Sequence, residues 1–431
     1  MNLPEKFAAR LKERLCDAEK YFACFGDAPY KGVRANTLKI SSEAFLAGNY
    51  VETCGEVPWE KNAFYTREEK PGRSIAFAAG LFYVQEPSAM CAAPLLGAEA
   101  GERVLDLCSA PGGKGTQLAA AMGGGGILVL NEKVPSRAAV LSENAERMGV
   151  ANAVVISADP EALEERFAGY FDKILVDAPC SGEGMFRKEP AALLEWSEEN
   201  VAMCAARQKK ILSSAVKMLR CGGRLVYSTC TFAEEEDEEN AAWLASCGSG
   251  LSLLHEHKIW PHRERGEGHY AALFEKEGTQ EEMSFSGKKQ LPFADKKAAS
   301  LWRSFCREHA RAEFAGELMS FGNSLYLVPE GLFPLGGLKV LRAGIRLGEA
   351  VGDRFEPAHA LALAAPKGAF FNENPLCDEE AASYLRGEET PAHCQKGWCV
   401  ATWKGYALGW GKSVGGVMKN KLPKALRRFG C

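Results

Sequence analysis

The sequence predicts an α/β protein whose centre is a parallel sheet with helices on both faces. Three observations predict it. Between about Gly101 and Phe274, short apolar runs at 104–107, 127–130, 154–157, 174–176 and 225–228 alternate with helical stretches, the pattern of strands joined by crossover helices. Four of these runs present an acid at their carboxyl end: Asp106, Glu132, Asp159 and Asp177. The first run leads through Cys108-Ser109-Ala110-Pro111-Gly112-Gly113-Lys114, a turn of small residues, into a helix. In such sheets ligands sit at the carboxyl ends of the strands.

The remaining elements follow in order. Apolar spacing predicts an amphipathic helix over 7–25, and the stretch 32–40 is β-rich. A long helix spans 198–219 and stops before Gly222-Gly223. The polar interval 276–289 is expected to be an interdomain linker. Beyond it lies a second body of about 135 residues with β-like runs at 325–328, 339–341, 400–403 and 407–410. The expected division is 1–95, 96–280, 295–365 and 366–431, close to the prior of about 150 residues per domain.

Composition narrows the function classes. Hydrophobic residues make up 46% and charged residues 25% of 431, which excludes a disordered chain. Lys plus Arg is 52 against 56 for Asp plus Glu, so the molecule as a whole is no polybasic binder. From Gly405 to Cys431, however, six bases (Lys412, Lys419, Lys421, Lys424, Arg427, Arg428) meet no acid. Without them the net −4 becomes −10, so the carboxyl end is a basic face on an acidic body. Fifteen cysteines cannot all pair, and no secretory signal precedes them, so a reduced, cytoplasmic protein with free thiols is expected. No apolar stretch approaches the roughly 18 residues of a membrane span.

The turn after the first strand is neither a G-x-G-x-x-G fingerprint nor a Walker A loop. Cys108 stands where the first Gly belongs, and Gly115 replaces Ser or Thr. Pyrophosphate is therefore disfavoured. A single carboxylate at a strand end ordinarily caps the next helix, but four in order beside a Pro-Gly-Gly turn favour a cofactor. Glu132 is placed to accept hydrogen bonds from ribose hydroxyls, and Asp159 to meet an adenine edge. An adenosyl ligand with a sulfonium and no phosphates, S-adenosylmethionine, fits this acid-lined site.

Two cysteines fall at neighbouring strand tips: Asp177-Ala178-Pro179-Cys180-Ser181-Gly182 and Tyr227-Ser228-Thr229-Cys230-Thr231. A thiolate is a capable nucleophile. Added at carbon 6 of a pyrimidine, it turns carbon 5 into an enamine carbon able to accept a methyl group. A second thiol nearby would serve release of the product. Spacing does not rank the two.

These residues resemble the motifs of the Sun-type RNA cytosine-5 methyltransferases. Arg34-Ala35-Asn36-Thr37 and Tyr83-Val84-Gln85-Glu86-Pro87-Ser88 resemble upstream family motifs, and Gly184-Met185-Phe186-Arg187-Lys188 resembles the bacterial RsmF subgroup, which modifies 16S ribosomal RNA. The resemblance implies a Rossmann-like adenosylmethionine-dependent domain, a mixed α/β amino-terminal RNA-docking segment and a carboxyl-terminal PUA-like RNA-binding region. It implies that Cys230 attacks carbon 6 and Cys180 assists release. It also implies that 108–114, Glu132, Asp159 and Asp177 bind the cofactor, with Asp177 also at the target base. No metal and no obligate protein partner are implied; a monomer acting on RNA is expected. Ser109 stands where Ala is more usual.

The alternatives are a transfer RNA cytosine-5 methyltransferase and a non-catalytic ribosome-assembly factor, which would need neither thiol. Cys16, Cys24, Cys54, Cys91, Cys204, Cys221, Cys247 and Cys306 are expected to be small buried hydrophobes. His255, His257, His262 and His269 match no zinc spacing and are expected in a solvated strand connection; His393, Cys394 and Cys399 carry no metal signal either. The acidic run 234–239 is expected to form the first turns of a helix. Trp398, Trp403, Tyr406 and Trp410 suit an aromatic β-core, and Lys419, Lys421, Lys424, Arg427 and Arg428 are expected to contact RNA phosphates.

Overall fold

A computed structural model describes residues 3–278 and 294–427. Its centre is an eight-stranded sheet. The parallel part is β1 (Arg103–Asp106), β2 (Ile127–Asn131), β3 (Ala153–Ile156), β4 (Phe171–Asp177) and β5 (Leu219–Thr229), with β6 (Leu251–Ile259) and β7 (His269–Lys276) antiparallel at one edge. An eighth strand, β8 (Val340–Ala343), gives the order β6-β7-β5-β4-β1-β2-β3-β8. The switch of direction between β1→β2→β3 and β1→β4→β5 places a crevice above β1 and β4.

Alternation along the strands builds two cores. Leu105, Val129 and Ile174 pack with Leu212 and Ala215 on one face, and Val104, Leu128 and Leu175 with Leu118 and Leu141 on the other. Helix α1 (Gly113–Ala121) follows β1, and helix α2 (Glu198–Met218) precedes β5. Ser197 caps α2 by accepting from the Asn200 N–H at 3.0 Å. Helix α3 (Glu238–Ser246) follows β5.

Ahead of this domain is a four-stranded sheet of Glu56–Val57, Glu60–Tyr65, Gly32–Ala35 and Phe82–Gln85. It is tied to α1 by Arg34, which is fully buried and donates to Gly113 O at 2.9 Å and Thr116 Oγ1 at 2.8 Å. The carboxyl-terminal part holds a four-stranded antiparallel sheet and a five-stranded sheet. In the latter, Trp403 and Trp410 are buried, with Trp410 Nε1 donating to Ala358 O at 2.9 Å, whereas Trp398 and Tyr406 of the expected aromatic core are half-buried.

Three expectations are corrected. The helix over 7–25 is two helices, Glu5–Arg14 and Ala18–Ala23. The chain breaks where Asp17 is drawn to Arg263 at 2.7 Å and His262 at 3.1 Å. The run at 339–341 does not belong to the second body's sheets: Val340–Ala343 covers the edge of β3, and Arg342 anchors it to Glu146 at 3.2 Å and Val150 O at 3.1 Å. An uncovered edge would offer a row of unpaired backbone groups. Finally, Lys276 of the expected linker is the last residue of β7, its Nζ donating to Val216 O and Leu219 O at 2.7 Å. Positions 279–289 of that interval lie outside the described residues.

Among the described residues no helix is long and apolar enough to cross a membrane.

Candidate active site

The turn after β1 is shaped by its small residues. Gly112, with φ of 110°, caps α1 in a conformation that L side chains rarely adopt. A Cβ on Gly115 would lie 2.6 Å from Ser109 Oγ and 2.7 Å from Leu130, so helix and strand meet only with Gly there. Asp106 is fully buried and accepts from Ser109 Oγ at 2.8 Å; burial pushes its carboxyl up to about 7.

Over the strand tips lies a cavity of about 910 Å³. Cys108, Ala110, Glu132, Asp159, Asp177, Cys180 and Cys230 line it. Ser109, Pro111, Gly112, Gly113 and Lys114 do not; they form the turn behind it. Glu132 is held by the Val134 N–H at 2.8 Å and Arg137 at 3.2 Å. Asp159 caps a short helix and pairs with Lys133. Burial also pushes the Cys108 thiol well above its ordinary range.

The two tip cysteines meet: Cys180 Sγ lies 3.2 Å from Cys230 Sγ. The next residues repeat the bridge, with Ser181 Oγ 2.8 Å from Thr231 Oγ1. The Cys180 thiol is held well above its ordinary range, first by its hydrogen bond to Cys230 and then by burial. Two thiolates this close would repel, so the pair carries at most one charge. Asp177 pairs with Lys114 Nζ at 2.8 Å and accepts from Ser228 Oγ at 2.8 Å. Burial, the largest single influence, would raise its carboxyl, but Lys114, His269 and Ser228 together hold it below the ordinary carboxylate range.

Several side chains that hold the site's turns were not legible in the sequence. The acidic run 234–239 is corrected, because α3 starts only at Glu238, and of the four acids before it Glu236 and Asp237 turn inward. Glu236 and Asp237 are fully buried. Glu236 Oε2 accepts from the Ser181 N–H at 3.0 Å and Gln208 Nε2 at 2.7 Å, while Gln208 also donates to Pro179 O at 3.1 Å. This network fixes the Cys180 turn. Asp237 meets Thr229 Oγ1 at 2.5 Å and Lys258 Nζ at 2.9 Å. Burial raises Glu236 to about 7 and Asp237 to about 8. The only sequence cue was their place directly after Cys230, and a run of acids reads more readily as solvated.

The histidines are corrected too. His255 and His257 lie on β6, but the side chains of His262 and His269 are buried, the first against Asp17 and the second beside Asp177. Among the described residues no His, Cys, Asp and Glu group is arranged to hold a metal. Of the eight cysteines expected to be buried, Cys91 and Cys204 are; Cys16 and Cys247 are exposed at helix ends, and the other four are half-buried. In the tail, Lys419, Lys421 and Lys424 are exposed, with Lys421 Nζ 5.8 Å from the Trp398 ring. Arg427 is half-buried and donates to Leu422 O at 3.3 Å. Arg428 lies outside the described residues.

Comparison with known proteins finds matches along the whole chain. Residues 93–275 match the model of the 16S rRNA methyltransferase RsmB/F family, 3–87 the N-terminal domain of 16S rRNA methyltransferase RsmF, 304–364 its first C-terminal domain and 371–428 its PUA domain. Ribosomal RNA small subunit methyltransferase F of Shewanella piezotolerans is 33% identical over 96% of this chain and 94% of its own. That of Vibrio vulnificus is 33% identical over 99% and 98%. A methyltransferase homologue protein from Pyrococcus horikoshii, 27% identical, superposes with a TM-score of 0.54 over 64% of this chain and all of its own. NSun6 from the same organism, solved with SFG, shares the fold at 21% identity, with a TM-score of 0.58 over 64% of this chain and 99% of its own.

The cofactor is S-adenosylmethionine, and the site fits it. The cavity lies within the roughly 300–1,000 Å³ of small-molecule sites, and carboxylates stand at the second and third strand tips where an adenosyl group needs acceptors. The matches run through all four parts of the chain, and the chain belongs to the RsmF family of 16S ribosomal RNA methyltransferases.

Proposed function

We propose that this methyltransferase modifies carbon 5 of cytosine in RNA, with 16S ribosomal RNA as the substrate, through a covalent adduct at carbon 6. The observation that carries the reading is the thiol pair, 3.2 Å apart at the wall of the cofactor cavity. Bound S-adenosylmethionine supplies an electrophilic methyl group. Cys230 attacks carbon 6 as a thiolate, and the electron pair of the 5,6 double bond moves to carbon 5, which takes the methyl while the pair of the broken methyl–sulfur bond stays on sulfur, leaving S-adenosylhomocysteine. Asp177, kept charged by Lys114, accepts from the exocyclic amino group of the base.

Release then requires the carbon 5 proton to leave and the Cys230–carbon bond to break. The foremost cause of the raised Cys180 thiol is its hydrogen bond to Cys230. Once Cys230 is bonded to carbon, that cause is gone. Cys180 then loses its proton to solvent more readily and, as a thiolate, takes the proton from carbon 5. The electron pair left behind re-forms the double bond and expels the Cys230 thiolate. The target nucleotide has to leave any stack to reach the cavity, at a cost of a few kcal/mol. Contacts from Glu132 and Asp159 to the adenosyl group, from the turn 108–114, and from the basic tail to RNA belong to this reading. So do a cytoplasmic location and action as a monomer.

The test is a trap. Cys230→Ala should give neither methylated RNA nor an adduct. Cys180→Ala should accumulate a protein–RNA complex that survives denaturing gels and requires both Cys230 and S-adenosylmethionine. The double variant should behave as Cys230→Ala, since the two act on successive steps. Adducts in Cys230→Ala and none in Cys180→Ala would reverse the assignment. Bisulfite sequencing of ribosomal RNA from cells lacking the gene identifies the cytosine.

A further inference from the structure

His269 opens β7 beside the nucleophile. The last register pair of β7 and β5 joins Tyr270 to Thr229, so one step outward sets His269 next to Cys230 at the ends of adjacent antiparallel strands. The side chain is 2% exposed, yet neither ring nitrogen has a hydrogen-bond partner. Buried polar atoms are nearly always satisfied, and an exception calls for a reason. An apolar side chain would fill the space without that penalty.

The surroundings supply a reason. Nε2 lies 3.7 Å from Asp177 Oδ1, just beyond a hydrogen bond. Asp177 lines the cavity, and its two oxygens already face Ser228 Oγ and Lys114 Nζ. A carboxylate oxygen has room for a second donor, and a shift of roughly half an ångström would bring Nε2–H into range. Burial, reinforced by Lys114, holds the imidazole down at about 3. It therefore stays neutral and offers Asp177 a donor without a second positive charge. Contacts of this kind are often loose before substrate binds and tighten in the complex.

We infer that His269 is a positioning residue, whose Nε2–H bonds to Asp177 Oδ1 as the target base enters and fixes the carboxylate against the amino group of cytosine. This rests on the cytosine reading above. Lys114 and Ser228 restrain Asp177 from the cofactor-turn side and from β5; His269 restrains it from β7, so the carboxylate is aimed from three elements.

The experiment compares His269→Phe, His269→Gln and His269→Asn in the full chain, alone and combined with Cys180→Ala. Gln places an amide donor near the position of Nε2; Asn is one bond too short, and Phe has no donor. His269→Phe and His269→Asn should lower kcat for RNA methylation at least tenfold, with S-adenosylhomocysteine affinity by calorimetry unchanged. His269→Gln should recover most of the rate. With Cys180→Ala, the denaturant-resistant adduct should form at the parental rate in the Gln variant and at least tenfold more slowly in the others. Adduct rates unaffected by Phe or Asn overturn the inference and leave the covalent reading standing. Equal loss in all three variants, or a loss of cofactor affinity, also overturns it, since a merely structural side chain behaves so. If neither Cys180→Ala nor Cys230→Ala yields an adduct with His269 in place, the covalent reading falls and takes this inference with it; if only Cys230→Ala does, the same comparison is read in that background.

Discussion

Replacing Lys114 by Met tests the electrostatics of the site directly. Lys114 Nζ and Asp177 Oδ2 are 2.8 Å apart, with the lysine side chain 8% and the aspartate side chain 33% exposed. Removing one partner of a buried pair leaves an uncompensated charge, at about 3–5 kcal/mol. Asp177 is a third exposed, so solvent screening favours the low end, about 3 kcal/mol. For a domain of this size class each kcal/mol is about 2–4 °C, so Lys114→Met should melt about 6–12 °C lower near neutral pH. The sign of the pH dependence follows from Asp177. In the parent its carboxyl sits below its ordinary range, so its stabilisation is present above the unfolded value and is lost as pH falls through the folded one. In the variant burial acts unopposed by Lys114, so Asp177 takes up its proton at higher pH and the unpaired charge disappears. The gap between the two proteins should therefore be widest near about pH 8 and shrink towards about pH 4.5. Adding Asp177→Asn to Lys114→Met should restore much of the loss, because no charge is left stranded. Differential scanning fluorimetry across that range reads all three proteins. A gap that is constant with pH, or a double variant no better than the single, would show that Lys114 does not act by compensating the Asp177 charge.

Four further outcomes are expected. Glu132→Ala should weaken S-adenosylhomocysteine binding by about 1.5–3 kcal/mol by calorimetry; unchanged affinity in a folded variant would remove Glu132 from the cofactor site. Lys419, Lys421 and Lys424 changed together to Gln should flatten the salt dependence of RNA binding by about 0.7–0.9 per lost phosphate contact, with cofactor affinity unmoved; a parental slope would make them solvated surface only. Glu236→Gln keeps an acceptor for Ser181 and Gln208 and should keep its activity, whereas Glu236→Leu strands both donors at about 1–3 kcal/mol each and should accumulate adduct as Cys180→Ala does; activity lost in both variants would show that the charge itself matters. A chain ending at residue 278 lacks Val340–Ala343, so the bare edge of β3 should self-associate in light scattering; a monodisperse product would show that this strand is dispensable.

The central sheet was legible because its signal is local. Runs such as 127–130 and 154–157 are apolar on both faces, and the structure finds strands there within a residue or two. Element boundaries and partners were harder, because they depend on residues far away in the chain. Nothing in the helical spacing of 7–25 shows that Arg263, almost 250 residues later, draws Asp17 out of the helix. Likewise the run at 339–341 has a strand's composition, but its partner is decided by which sheet edge is free, and that is a property of the assembled fold.

The active site divides along the same physical line. Side chains that line the cavity sit at strand tips, and a strand tip is marked in sequence by the end of an apolar run; Asp177, Cys180 and Cys230 were found in this way. Groups that hold those tips in place carry no such mark. Glu236 lies in a run of six acidic residues and is recognisable only once its neighbours are known to be the Ser181 amide and Gln208. His269 lies among four histidines and is distinguished only by the strand that carries it past Asp177. Burial separates these residues from their sequence neighbours: a carboxylate among solvated carboxylates is ordinary, whereas one enclosed with two donors on a single oxygen fixes a backbone turn. Their substitution should accordingly act through the cysteine or aspartate each one holds, at the step that residue performs.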